Sequence, residues 1–91
     1  MRWDWDDKKS EKLKNQRGIS FGDAATLFDG PHVVAVKNDD PEQFMAVGFA
    51  NGNLVTLIYE TRNDDVGEYF WFVTLWKSTK AERAYFNEHH S

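Results

Sequence analysis

A chain of 91 residues without cysteine is long enough for one domain, residues 1–91, with one modest core, and it excludes disulfides and thiolate metal sites. No run of about 18 apolar residues is present and the opening MRWDWDDKK lacks an apolar signal core, so neither a membrane span nor a secretory leader is expected and a cytoplasmic location is. The net charge of -4 argues against indiscriminate binding to phosphate backbones, but residues 1–20 hold six Lys/Arg against four Asp/Glu while the remainder holds five against eleven. Any polyanion is therefore expected at the N-terminal segment, through Lys8, Lys9, Lys12 and Arg17.

WDWDDKKSEKLKNQRG reads as a first helix. Asp6 is a suitable N-cap, Lys14 and Arg17 lie late where the helix dipole favours cations, and Gly18 is a natural stop. Its apolar side is thin, with Trp5 and Leu13 as main anchors. Ser20 can cap a second helix, FGDAATLF, with Asp23 at the capping-box position and Phe21, Ala24, Ala25 and Phe28 on its buried side. DGP at 29–31 ends it.

The period then changes from helical to alternating. HVVAVK (32–37) is a short strand, followed by an acidic loop, NDDPE. QFMAVGFA (43–50) and NLVTLIYETR (53–62) flank Asn51-Gly52, a two-residue hairpin signal. NDDVG (63–67) makes the next turn, and the strand within EYFWFVTLWKST (68–79) follows. Thr79 and Glu82 form a capping box for a last helix carrying Ala84, Tyr85 and Phe86. The expected fold is α+β, in the order α-α-β-β-β-β-α, with a four-stranded antiparallel sheet and three helices.

The fourth strand poses a packing question, because from Tyr69 to Trp76 only Thr74 is polar. Strict alternation sends Phe70, Phe72 and Trp76 to one face and Tyr69, Trp71, Val73 and Leu75 to the other. Both faces then need cover, and the second requires a returning helix or a partner chain.

Few chemical motifs are present. His32 stands alone at a strand start, and His89 and His90 fall in what reads as a frayed tail, so no metal ligand set is formed and no cofactor is expected. Asp39/Asp40 and Asp64/Asp65 fall in turns, where aspartate is favoured for local hydrogen bonding.

The ordered set WDWDDKK (3–9), RGISFGDAATLFD (17–29) and TKAERAYF (79–86) resembles the BrnT family, small bacterial toxins of type II toxin–antitoxin pairs, in register over nearly the whole chain. The resemblance implies a RelE-like α/β fold, metal-independent ribonuclease activity on mRNA, and inhibition by a BrnA-like ribbon-helix-helix antitoxin that itself binds operator DNA. Members typically read W-D-x-x-K-…-N-x-x-K-H-G-[IV]-S-F. Trp5, Asp6 and Lys9 fit, whereas Leu13, Gln16 and Arg17 stand where the asparagine, lysine and histidine would be. The family's fourth strand typically reads R-I-I-S-A-R-x-A-T, and Trp71 and Trp76 replace its two arginines.

These exchanges bear on mechanism. An arginine fork donates two charge-assisted hydrogen bonds to a phosphate, and losing one such donor costs about 10²–10³ in rate. Tryptophan offers one neutral N–H and a stacking face, so it can hold a base but cannot neutralise an oxyanion. The exchange at Arg17 removes the best acid–base group near neutral pH. The residues left for catalysis are Lys9, Arg17, Arg83 and Tyr85, with Glu82 as a base, and Lys8 and Lys12 for RNA binding. Each has a plainer role: Lys9 as a surface lysine, Arg17 as a helix-end charge, Glu82 as a cap, Tyr85 as core. For Trp71 and Trp76 the alternatives are core packing and contact with a protein partner, where tryptophan is enriched. Two functions follow: a ribonuclease toxin neutralised by its antitoxin, or a catalytically decayed protein of the same fold that acts as a noncatalytic protein-binding module.

Overall fold

Trp3 decides how the chain begins. In the computed structural model, which describes residues 2–90, Arg2–Asp4 forms a short strand, β1, rather than the start of a helix. Trp3 stacks on Phe28 at 5.5 Å and on Phe72 at 6.0 Å between ring centroids, and the extended backbone is what delivers it there. The first helix, α1 (Asp7–Arg17), starts only after Asp6, whose side chain accepts the Lys9 N–H at 3.0 Å. It ends at Gly18, which adopts the left-handed conformation (φ 77°) and donates to the Lys14 carbonyl.

The second helix is shorter than its sequence pattern. α2 (Phe21–Ala25) carries the expected Ser20–Asp23 capping box and then tightens into a 3-10 turn over Thr26–Asp29. Tightening seats Leu27, fully buried, and leaves Phe28 within reach of Trp3 and Phe72. α1 and α2 are locked together by buried Ser10, whose hydroxyl accepts the Phe21 N–H at 2.9 Å.

Four long strands follow: β2 (His32–Asp39), β3 (Glu42–Ala50), β4 (Asn53–Asp64) and β5 (Gly67–Lys77). The sheet order is β1-β5-β4-β3-β2, antiparallel throughout except for β1, which pairs in parallel with β5. The expected four-stranded antiparallel sheet is therefore corrected to five strands and a mixed sheet. A three-residue strand has no periodicity to read, and its partner lies at the far end of the chain. The hairpin at Asn51-Gly52 is as expected, both residues having positive φ (51° and 76°). Gly48 sits in a tight place: a Cβ there would meet His32 Cβ at 3.0 Å and Leu27 Cβ at 3.1 Å, so both neighbours would have to give.

A β-bulge in β5 revises the assignment of faces. Tyr59 lies opposite Phe72 and Ile58 opposite Thr74, so Val73 is the extra residue. Side chains after it change sides. Leu75 joins Phe72 in the core beneath α1 and α2, while Trp76 comes to the same face as Trp71, instead of the opposite faces that strict alternation predicts.

α3 (Lys80–His89) is the returning helix that the second face needs. It seats Phe86 on Val33, Val47 and Leu54, with Met45 and Tyr85 at the margin. The two histidines near the end of α3 are exposed, with His89 against Tyr85 at 4.3 Å and His90 stacked on Phe86 at 4.5 Å between ring centroids. No helix among the described residues is long and apolar enough to cross a membrane.

Candidate nucleic-acid interface

β1 covers β5 only at residues 69–71, so the outer edge of β5 is open beyond Trp71. α1 runs beside that open edge. Arg17, in its last turn, donates from Nη1 to the Leu75 carbonyl at 3.0 Å and so satisfies one backbone acceptor of the unpaired edge. Two clefts result, joined at Gln16 and Arg17. One, of about 450 Å³, is lined by Asp6, Lys8, Lys9, Lys12, Leu13, Gln16, Arg17 and Thr74. The other, of about 580 Å³, is lined by Gln16, Arg17, Gly18, Trp76 and Lys77.

Cations are concentrated along this groove. Arg2, Lys14 and Arg62 each pair with a carboxylate, at 2.8, 2.8 and 2.9 Å. Lys8, Lys9, Lys12, Arg17 and Lys77, the five cations lining the clefts, have no ion pair among the described residues, and of the other cations only the scattered Lys37, Lys80 and Arg83 share that state. Asp6 is the one acidic side chain in the lining, and it is engaged with the start of α1. An acidic protein thus keeps an uncompensated positive groove, an arrangement suited to a phosphate backbone.

Trp76 connects this groove to α3. Its indole N–H donates to Glu82 Oε1 at 2.9 Å, and the same oxygen accepts the Thr56 hydroxyl at 2.9 Å and the Thr79 N–H at 2.8 Å. Burial by itself raises the Glu82 pKa, but the Thr79 N–H, the Trp76 indole and Thr56 together hold its carboxyl below the ordinary value. A carboxylate so placed is an anchor and is poorly matched to taking a proton near neutral pH.

The nine side chains singled out from the sequence therefore fall into separate places. Lys8, Lys9, Lys12, Arg17 and Trp76 line the joined clefts, and Glu82 reaches them only through the Trp76 indole. Arg83 is exposed on α3, and Tyr85 is half-buried at the margin of the second core; neither lines the clefts. Trp71 lies on the part of the sheet that α3 leaves open, where the Arg62 guanidinium sits 4.7 Å from its ring centroid. Arg62 also binds Glu60, which accepts from Gln43 Nε2 at 2.9 Å; the Gln43 bond first, then Arg62, lowers the Glu60 pKa. Six lining residues, Asp6, Leu13, Gln16, Gly18, Thr74 and Lys77, were not among the nine site candidates. Thr74 had a signal, being the only polar residue between Tyr69 and Trp76.

No group of three or more His, Asp or Glu among the described residues is arranged to hold a metal ion. No curated protein matches the chain. Residues 5–82, from Trp5 ahead of α1 to Glu82 in α3, match the family described as "Ribonuclease toxin, BrnT, of type II toxin-antitoxin system". That match spans most of the chain and takes in the whole positive groove: the chain belongs to the BrnT family of ribonuclease toxins.

Proposed function

We propose that this protein is the toxin of a type II pair, binding single-stranded RNA along the α1–β5 groove and cleaving it slowly without a metal ion. The observation that carries this reading is the set of five unpaired cations along one groove of an acidic chain whose family is a ribonuclease toxin family. Metal-free cleavage of RNA requires three things: activation of a ribose 2′-hydroxyl, charge stabilisation at the scissile phosphate, and a proton for the departing 5′-oxygen. Arg17 spends one N–H on the Leu75 carbonyl and presents the rest of its fork to the phosphate. Lys9 supplies the proton, and Lys8 and Lys12 hold flanking phosphates. The cleft lining contains no histidine, and Glu82 is committed to Trp76, Thr56 and Thr79, so the 2′-hydroxyl lacks a strong base. Turnover is accordingly slow.

A BrnA-like antitoxin neutralises the toxin, and its contact centres on Trp71 and the sheet surface that α3 leaves open. Operator DNA is engaged only through that antitoxin. Glu82's hydrogen bonding also favours a second reading, in which catalysis has decayed and the protein serves as a noncatalytic binding module.

One assay separates the readings: cleavage and binding of an unstructured RNA in the presence of a chelator, with wild type and Lys8→Glu/Lys12→Glu. The expected result is weak, chelator-resistant cleavage, with the double variant binding more weakly and with a flatter salt dependence. Binding with no cleavage supports the decayed module. Unchanged binding by the double variant places the RNA site elsewhere.

A further inference from the structure

Thirteen of the fourteen Phe, Tyr and Trp rings have an aromatic or cationic partner; among the described residues Trp76 alone has none. Trp3 and Trp5 stack on Phe72, and Trp71 lies beneath Arg62. Trp76 is instead half-buried, with its indole facing a cleft whose other walls are Gln16, Arg17, Gly18 and Lys77. A tryptophan lining a cleft with Arg17 and Lys77, and with no aromatic or cationic partner of its own, is the combination suited to holding a base next to its phosphate.

We infer that Trp76 is the base-binding platform of this groove, stacking one unpaired nucleobase of single-stranded RNA while Arg17 and Lys77 take the adjoining phosphates. The inference rests on the RNA-binding reading above. Two details define what the platform recognises. Its only N–H is already given to Glu82 at 2.9 Å, so the indole is held in one orientation and has no donor left for a base edge. Recognition is then by stacking alone, which favours the larger purines over pyrimidines and does not discriminate adenine from guanine by hydrogen bonding. A duplex, whose base faces are covered, is excluded from the platform. Glu82 is the positioning residue: it fixes the ring without touching RNA.

The test is equilibrium binding, by fluorescence anisotropy, of labelled hexameric oligoadenylate, oligouridylate and a ribose-phosphate hexamer lacking bases. Wild type, Trp76→Ala, Trp76→Phe and Lys8→Glu/Lys12→Glu are compared. Trp76→Ala should lose about ten-fold or more in affinity for oligoadenylate, less for oligouridylate, and almost nothing for the baseless hexamer. Trp76→Phe retains a ring and should keep most of the affinity. It should also abolish the quenching of intrinsic tryptophan fluorescence that oligoadenylate produces in wild type, a readout that survives if the alanine variant does not fold. Equal affinity of wild type and Trp76→Ala for all three ligands, or quenching that persists in Trp76→Phe, overturns the inference. If the lysine variant alone weakens binding, the RNA groove stands and the platform falls; if no variant matters, the groove itself falls. Loss of binding to a protein partner with RNA binding intact would reassign Trp76 to a protein contact.

Discussion

The two faces of the sheet are built to different standards. Beneath α1 and α2, thirteen buried residues form one core, rimmed by Trp3, Trp5, Phe28, Phe44 and Phe70, and Phe72 meets four aromatic rings. On the other face Phe86 of α3 closes a small cluster with Val33, Val47 and Leu54, and beyond its reach the surface passes to the Gln43–Glu60–Arg62 network and Trp71. The first face carries stability. The second trades apolar cover for satisfied polar contacts and leaves space for another molecule. What the difference teaches is that an aromatic-rich strand does not imply uniform packing. Neighbours in sequence, Phe72 is a keystone of the first face and Trp71 lies half-buried on the second.

This contrast can be broken by mutation, and the largest effect is expected at Phe72. Phe72→Ala should cost about 4 kcal/mol, since aromatic neighbours on several sides cannot all collapse into the void. Phe86→Ala should cost about 3 kcal/mol or less, because half-exposed Phe49, edge-on at 5.5 Å, can move in. Urea unfolding of both variants gives the comparison; equal losses would mean the two faces are energetically alike.

Glu82 comes next. Removing it unties the Thr79 cap, the Trp76 indole and the Thr56 hydroxyl together, so Glu82→Ala should cost about 1–2 kcal/mol. Its pH dependence sharpens the point. The folded pKa lies below the ordinary 4.5, so between the two values the unfolded chain binds more protons and stability rises with pH. The advantage of wild type over Glu82→Gln should be level above about pH 5 and shrink as pH falls through the folded pKa. An advantage that grew on acidification would contradict the anchoring role. On the better-packed face Asp23 behaves alike: the Lys14 bond, then the Ser20 N–H, hold its pKa at about 2, so its contribution is lost between the ordinary 3.8 and that value.

The smallest effect on stability is expected at Trp71. Trp71→Ala should cost about 1 kcal/mol in unfolding, since the ring is partly exposed and its partner Arg62 keeps Glu60. The same variant should lose about 2 kcal/mol or more of affinity for the antitoxin. Calorimetric titration of wild type and variant decides it, and unchanged affinity would remove Trp71 from the contact.

Local grammar was readable in the sequence wherever a few neighbouring residues decide the outcome. The Asp6 cap, the Gly18 stop, both capping boxes and the Asn51-Gly52 hairpin are each set within a handful of positions. β1 and the Val73 bulge were not readable, because both depend on register between distant segments. An apolar run such as 69–76 looks the same with or without an extra residue, yet that residue decides that Leu75 is core and Trp76 is cleft. The candidate site shows the same division. The lysines of α1 were found from charge alone, while the opposite wall, Thr74, Trp76 and Lys77, could be matched to them only once the open edge of β5 was known.

That groove has a timing built into its topology. One wall is α1, which precedes β2, β3 and β4 in the chain, and the other is β5, the last strand of the sheet. A ribosome synthesising this chain releases the cationic helix long before the strand that completes the cleft exists, and β5 in turn needs β4 beside it to be a strand at all. Until synthesis passes Lys77, the lysines of α1 belong to a loose polycation with no shaped site. The shaped site therefore exists only once β5 has joined the sheet, with both walls in place together.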